Sequence, residues 1–321
     1  GPSWFWPGQS NMETLINELN LSDSVFTQQA NGQSVYEDQQ GNVQKGFYGI
    51  SMEGVYRVNG GMRQIISKLE DHINPANTLR STQVKCIEYI HEDNAKRIIS
   101  TFYNGEGSQD VPQKITSKKV VISLPPRIAM SSIEFKPPCP ESRTEELNSY
   151  ATWMAGHAKV LVIYDNPFWL EQGLSGDAVS HIGPLREIHD ASSHPSKSDG
   201  SNKNGYALFG FVGIPASYRK GNEDEIRNAT IDQLVRLFGI KAAKPIDIVL
   251  QDWAQDKFTA TEIDQSMNGG HANSSISRYT ESHFNENLIW SGTETADHRR
   301  GFNGLLEGAL EASIRTLNLL I

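Results

Sequence analysis

The chain has 321 residues, 37% hydrophobic and 21% charged. That composition excludes a disordered polymer, and that length exceeds what one hydrophobic core sustains, so two domains are expected. Lys plus Arg number 29 against 38 Asp plus Glu, a net charge of −9 that argues against nucleic-acid or anionic-membrane binding; the two cysteines, Cys86 and Cys139, form no disulfide framework, which points to a reducing, cytoplasmic setting.

Residues 1–8 are aromatic and turn-rich. No apolar run there or elsewhere approaches the ~18–20 residues of a membrane span. Helical spacing of Met12, Leu15, Ile16 and Leu19 predicts a helix over 11–21. From 25 to 57 the pattern shortens, and Asn31-Gly32 and Gly41-Asn42 mark turns between strand-like pieces at 34–37 and 43–48. A small antiparallel meander is expected. Gly60-Gly61 then precedes a helix over 62–72, and strands are expected over 83–90, 97–103 and 118–123. The last stops at Pro125-Pro126. Residues 133–140 read as a linker.

The strongest strand covers 158–164. A polar loop is expected over 189–205, a strand over 206–212, an amphipathic helix over 224–238 and a strand over 246–253. A Ser/Asn/Gly/His-rich loop covers 264–277, a short strand 288–291, and a helix 304–320 closes the chain. No internal repeat is present.

These 321 residues contain no Gly-x-Gly-x-x-Gly, Walker loop, Gly-x-Ser-x-Gly elbow or His-Glu-x-x-His. His181, His189 and His194 cluster in sequence, but their spacing fits no standard ligand pattern, and they read as solvated loop residues; His271, His283 and His298 read the same way. No metal is expected.

Lys159 heads the strand Ala158-Lys159-Val160-Leu161-Val162-Ile163-Tyr164. A lysine among apolar neighbours must find a partner, reach water or lose its charge. It reads either as an edge lysine that snorkels to solvent or as an active-site lysine. The segment Gly292-Thr293-Glu294-Thr295-Ala296, with Gly304-Leu305-Leu306-Glu307-Gly308 opening a helix, offers a helix N-terminus to an anionic or electron-rich group. An ordinary packing helix is the plainer alternative.

Taken in order, these pieces resemble the flavin-containing amine oxidase family, the monoamine and polyamine oxidase group. The likeness is carried by Tyr56-Arg57-Val58-Asn59-Gly60-Gly61, by Val84 in its strand, by the Pro-terminated strand, by Lys159 through Trp169, by Trp253, and most specifically by the C-terminal glycine pattern. The resemblance implies an α/β, FAD-linked two-domain fold. Residues 1–8, 59–147 and 256–321 would form the nucleotide-binding domain, and 9–58 and 148–255 a mixed-sheet substrate domain. It implies FAD, with Val84, Trp253, Gly292, Thr293, Glu294, Gly304, Leu305 and Leu306 at the cofactor and Lys159 holding a water against the flavin. It implies oxidation of a small-molecule amine to an imine, with hydride transfer to flavin and oxygen as acceptor.

Three departures shape these expectations. Glu262 stands where some members carry a flavin-linking cysteine, so the FAD would be non-covalent. The two aromatic substrate positions fall at Ile263 and Leu305, with Phe302 an approximate substitute. The family's glycine-rich βαβ unit has no counterpart here, so Gly1-Pro2 reads as interior sequence. Two alternatives follow: an FAD-dependent amine oxidase, with a homodimer or a missing N-terminal fragment as its expected partner, or a truncated or degenerate relative that binds no FAD, is non-catalytic and serves a binding or structural role.

Overall fold

The computed structural model describes residues 2–46, 51–92, 95–104, 112–194, 205–266, 284 and 286–321. The chain begins with α1 (Ser10–Glu18), β1 (Val25–Thr27), β2 (Gln33–Glu37), β3 (Val43–Gly46), β4 (Tyr56–Val58) and α2 (Arg63–Glu70). There follow β5 (Thr82–Glu92), β6 (Ala95–Asn104), β7 (Gln113–Ser117), β8 (Val120–Ile122), α3 (Pro126–Ser132), β9 (Glu134–Lys136) and α4 (Glu141–Ser149). Next come β10 (Ala158–Tyr164), α5 (Phe168–Glu171), β11 (Leu174–Ser180), β12 (Leu185–Asp190) and β13 (Tyr206–Val212). The remainder is α6 (Ala216–Arg219), α7 (Glu223–Phe238), β14 (Asp247–Asp252), α8 (Glu262–Ser266), β15 (Leu288–Trp290) and α9 (Leu306–Leu320). The architecture is α/β with mixed sheets.

Two compact units divide the chain. The first gathers Gly1–Gln9, Ile16–Ser67 and Gly156–Asp256; the second gathers Ser10–Leu15, Lys68–Ala155 and Lys257–Ile321.

The first unit is built on a seven-stranded sheet in the order β14-β10-β13-β12-β11-β2-β3. Its pairs are antiparallel except β11 with β2. The two-residue period of a strand sorts β10 cleanly: Ala158, Val160, Val162 and Tyr164 are buried, while Lys159, Leu161 and Ile163 lie on the opposite face. The buried set packs with Ile188, Leu208 and Val212 against Leu234, Leu237 and Phe238 of α7. Each such side chain contributes about 1.5–3 kcal/mol on burial. α7 has Glu223, Asp224 and Glu225 in its first turn and Arg236 in its last, matching its dipole, and it stops at Gly239, whose φ is +93°. Its buried Gln233 accepts from Leu185 N at 2.9 Å and donates to the Leu185 and Ile182 carbonyls at 2.8 and 2.9 Å, which fixes the turn from β11 into β12.

The meander expected over 25–57 does not form as one piece. β1 pairs with β4, whereas β2 and β3 extend the large sheet. β2 buries Ser34, Val35 and Glu37, on both of its faces, which a thin exposed meander cannot cover. Glu37 accepts from Arg236 Nε at 2.9 Å and from Ser180 Oγ at 2.6 Å.

The second unit carries a four-stranded sheet, β7-β6-β5-β9, and a parallel pair, β15 with β8. Ile87, Ile98, Ile122, Phe135, Leu147 and Trp290 belong to its core. Pro125 ends the β8 segment as expected, but Pro126 then takes the first turn of α3, where a missing N–H costs nothing. The expected linker at 133–140 contains β9, which runs parallel to β5 with Cys86 opposite Glu134. No helix among the described residues is long and apolar enough to cross a membrane.

Candidate active site

In the first unit β10 lies between β14 and β13, so Lys159 is not on a sheet edge, and the edge-lysine expectation is corrected. Its register partners are Gln251 and Phe211. The ammonium sits 4.6 Å from the ring centroid of Phe211 and 5.1 Å from that of Phe209. Burial disfavours its charge and brings its pKa down to about 8, with Glu187 pulling back upward.

Glu187 stands opposite Phe211, so Lys159, Phe211 and Glu187 form one row across three strands. The adjacent row holds Phe209 and His189. His189 was expected in a solvated loop. It is instead fully buried in β12, with Nδ1 2.9 Å from Asp177 Oδ1 and Nε2 2.7 Å from Glu187 Oε1. The Trp4 ring meets it edge-on at 5.1 Å. The expected polar loop therefore starts after β12.

Trp253 follows β14 at the end of the sheet where Lys159 lies; its N–H donates to His157 O at 3.1 Å. A buried clamp sets this end. Arg219 donates to both oxygens of Asp252 at 2.8 Å and to Gly156 O at 2.7 Å. Asp252 in turn accepts from Ala254 N at 3.0 Å, closing the turn that carries Trp253.

In the second unit the C-terminal glycine segment folds as one piece. Thr293 Oγ1 donates to Leu305 O at 2.8 Å, and Asn303 Nδ2 donates to Ala296 O at 2.8 Å. Gly304 has φ +82°, and a Cβ there would fall 2.6 Å from Trp153 Cβ. A Cβ at Gly308 would fall 2.2 Å from Phe302 O, so only glycine lets the loop press on the first turn of α9. Leu305 precedes that helix and supplies no side-chain cap. The first-turn amides of a helix have no acceptor within it, and together with the dipole they suit an anionic or electron-rich group. This donor set fits the pyrimidine edge of a flavin. Glu294 is buried beside it, and burial pushes its carboxyl up to about 7. Glu307 caps another helix, accepting from Asn11 N at 3.1 Å and Met12 N at 2.8 Å at the start of α1.

The structure brings Gly292, Thr293, Glu294, Gly304, Leu305 and Leu306 together. Val84 is half-buried on β5 opposite Phe102 and Ile263 is exposed on α8, each on another element, whereas Phe302 belongs to the same turn, its carbonyl accepting from Leu305 N at 3.0 Å. Sequence reading missed Asp177, Glu187 and Arg219. The one available signal was the alternation of Glu187 and His189, which places both on one face of a strand. Among the described residues no group of three or more His, Cys, Asp or Glu is arranged to hold a metal. His271, His283 and most of the loops at 189–205 and 264–277 lie outside the described residues.

The fold is shared with solved oxidases. A putrescine oxidase structure with bound putrescine superposes with a TM-score of 0.72 at 16% identity, covering all (100%) of this chain and 87% of that one. Cyclohexylamine oxidase from Brevibacterium oxydans gives 0.72 at 16%, covering 100% and 88%. At that identity the likeness concerns the fold. The family model for flavin containing amine oxidoreductases matches residues 36–316, and the chain belongs to that family. The probable flavin-containing monoamine oxidase A of Dictyostelium discoideum is 28% identical over 208 residues, 62% of this chain and 41% of the relative. The putrescine oxidase of Kocuria rosea is 26% identical over 154 residues, 45% of this chain and 29% of that protein. The chain spans about two fifths of the length of the first curated relatives it matches, 41% and 42%.

Proposed function

We propose that this chain belongs to an FAD-dependent enzyme that oxidises the C–N bond of a small-molecule amine to an imine. The observation that carries this reading is the α9 N-terminus: without a side-chain cap, and closely packed at two glycines, Gly304 against Trp153 and Gly308 against Phe302 and Thr293. FAD, when bound, supplies the redox step, taking up hydride from the amine and passing electrons to oxygen. The backbone amides of Leu306 and its neighbours would hold the pyrimidine edge, and their dipole would favour negative charge there. By the family resemblance, Trp253 would pack against the ring system and Val84 would lie toward the adenine side. Glu262 offers no thiol for covalent attachment, so the cofactor is held non-covalently.

Lys159 holds a water at the reacting position. Near pH 8 its amine is part neutral, and it can then both accept and donate a hydrogen bond. Ile263, Leu305 and Phe302 wall the amine, mostly with aliphatic surface.

The test is the visible spectrum of the chain after incubation with FAD and gel filtration, followed by a peroxide assay on amine addition. A retained flavin band with peroxide release supports the reading, and Lys159→Met should then lower turnover by about 10²-fold or more. A colourless chain that releases no peroxide overturns it.

A further inference from the structure

We propose that Glu187 is the counter-charge of Lys159 and that His189 is the positioning residue that holds Glu187 in place. The role rests on the reading of Lys159 as a site residue. The geometry begins with register. Lys159, Phe211 and Glu187 occupy one cross-strand row, and the ammonium leans over the Phe211 and Phe209 rings that separate it from β12.

Glu187 is half exposed, with 48% of its side chain open, so burial alone does not fix it. The 2.7 Å contact with His189 Nε2 does. His189 cannot turn away, because Nδ1 is held 2.9 Å from Asp177 Oδ1, Trp4 covers an edge, and the residue is 0% exposed. Both ring nitrogens face carboxylate oxygens, which only accept, so both donate and the ring is an imidazolium. Burying a cation is costly unless it is paired and hydrogen-bonded, and His189 is paired at both nitrogens.

The charged groups coupled here are Asp177 on β11, Glu187 and His189 on β12, and Lys159 on β10. Desolvation pulls His189 down, but the hydrogen bonds to Asp177 and Glu187 outweigh it and hold its pKa above the ordinary value. Its hydrogen bond holds Glu187 below the usual carboxylate value against burial. The contact thus favours the ionised form of both His189 and Glu187, and Glu187 in turn favours the charged form of Lys159.

The test is NMR on the full chain with ¹⁵N-labelled histidine and ¹³Cε-labelled lysine, the Lys159 signal being identified by its loss in Lys159→Met. His189 should show both ring nitrogens protonated at neutral pH. The Lys159 titration should shift downward in Glu187→Gln and return part of the way in Glu187→Asp. A neutral His189, or a Lys159 titration that ignores Glu187, overturns the proposal. The two readings fail separately. If Lys159 follows Glu187 but Lys159→Met keeps full turnover, the pairing stands and the active-site role falls. If turnover is lost while the titration ignores Glu187, only the pairing falls.

Discussion

The two faces of the seven-stranded sheet are made from the same strands and carry opposite kinds of residue. One face, with Val160, Val162, Tyr164, Leu208 and Ile188, is closed by α7 and holds the fold together. The other presents Lys159, Phe209, Phe211, Glu187 and His189 in two adjoining cross-strand rows. Alternation along a strand separates the two tasks by one residue position. Residues that cost stability can therefore be tolerated on one face because their immediate neighbours repay it on the other.

The largest effect is expected on the α7 face. Trp169 is fully buried, lies edge-on to Phe168 at 5.1 Å, and donates from Nε1 to Asp190 Oδ2 at 2.8 Å. Trp169→Ala should cost about 3–5 kcal/mol in denaturant unfolding, from lost transfer energy and the cavity left behind. A loss below about 1 kcal/mol would mean that this face does not carry the fold.

An intermediate effect is expected from Asp177→Asn on the opposite face. It replaces one of the two carboxylates facing a buried imidazolium by a neutral amide, whose oxygen accepts without the charge, and should cost about 2–3 kcal/mol at pH 6. The pH dependence sharpens this. The His189 pKa is raised in the folded chain. Its contribution is therefore fully present below the unfolded value of about 6.5 and is lost as pH rises through the folded value. Wild type should lose stability over that window, and Asp177→Asn should show a flatter slope. Parallel slopes in urea titrations at several pH values would show that His189 is not stabilised as a cation.

The difference between the faces also explains what the sequence disclosed. The α7 face was legible: the strand expected at 158–164 is β10, that at 206–212 is β13, and the helix at 224–238 is α7 to within one residue. All three have strong local periodicity. β11 was not foreseen, since Leu174-Ser175-Gly176-Asp177-Ala178-Val179-Ser180 is poor in strand formers. It is a strand because β12 and β2 flank it. α3 and α4 were missed because each begins behind proline and is short. Of the site, Lys159 stood out as a cation among apolar residues, and the C-terminal glycines stood out by pattern. Asp177, Glu187 and His189 acquire meaning only through the register of β11, β12 and β13, which no local window encodes.

The smallest effect, and the one of opposite sign, is expected from Lys159→Met. The Lys159 pKa falls from 10.5 to about 8, so the folded chain disfavours its protonated form below that pH. The two aromatic faces return about 1 kcal/mol of this, and methionine retains most of the buried stem. The substitution should stabilise the chain by about 1 kcal/mol at pH 7. A lysine whose pKa is depressed on folding adds stability as pH rises from about 8 to 10.5, because the unfolded chain then binds more protons. Lys159→Met should remove that rise, so the advantage of the variant should shrink toward pH 10.5. Denaturant midpoints at the two pH values decide the matter. A variant that is less stable than wild type at pH 7 would place Lys159 with the fold-forming residues of its strand, and the division between the two faces would fail at that position.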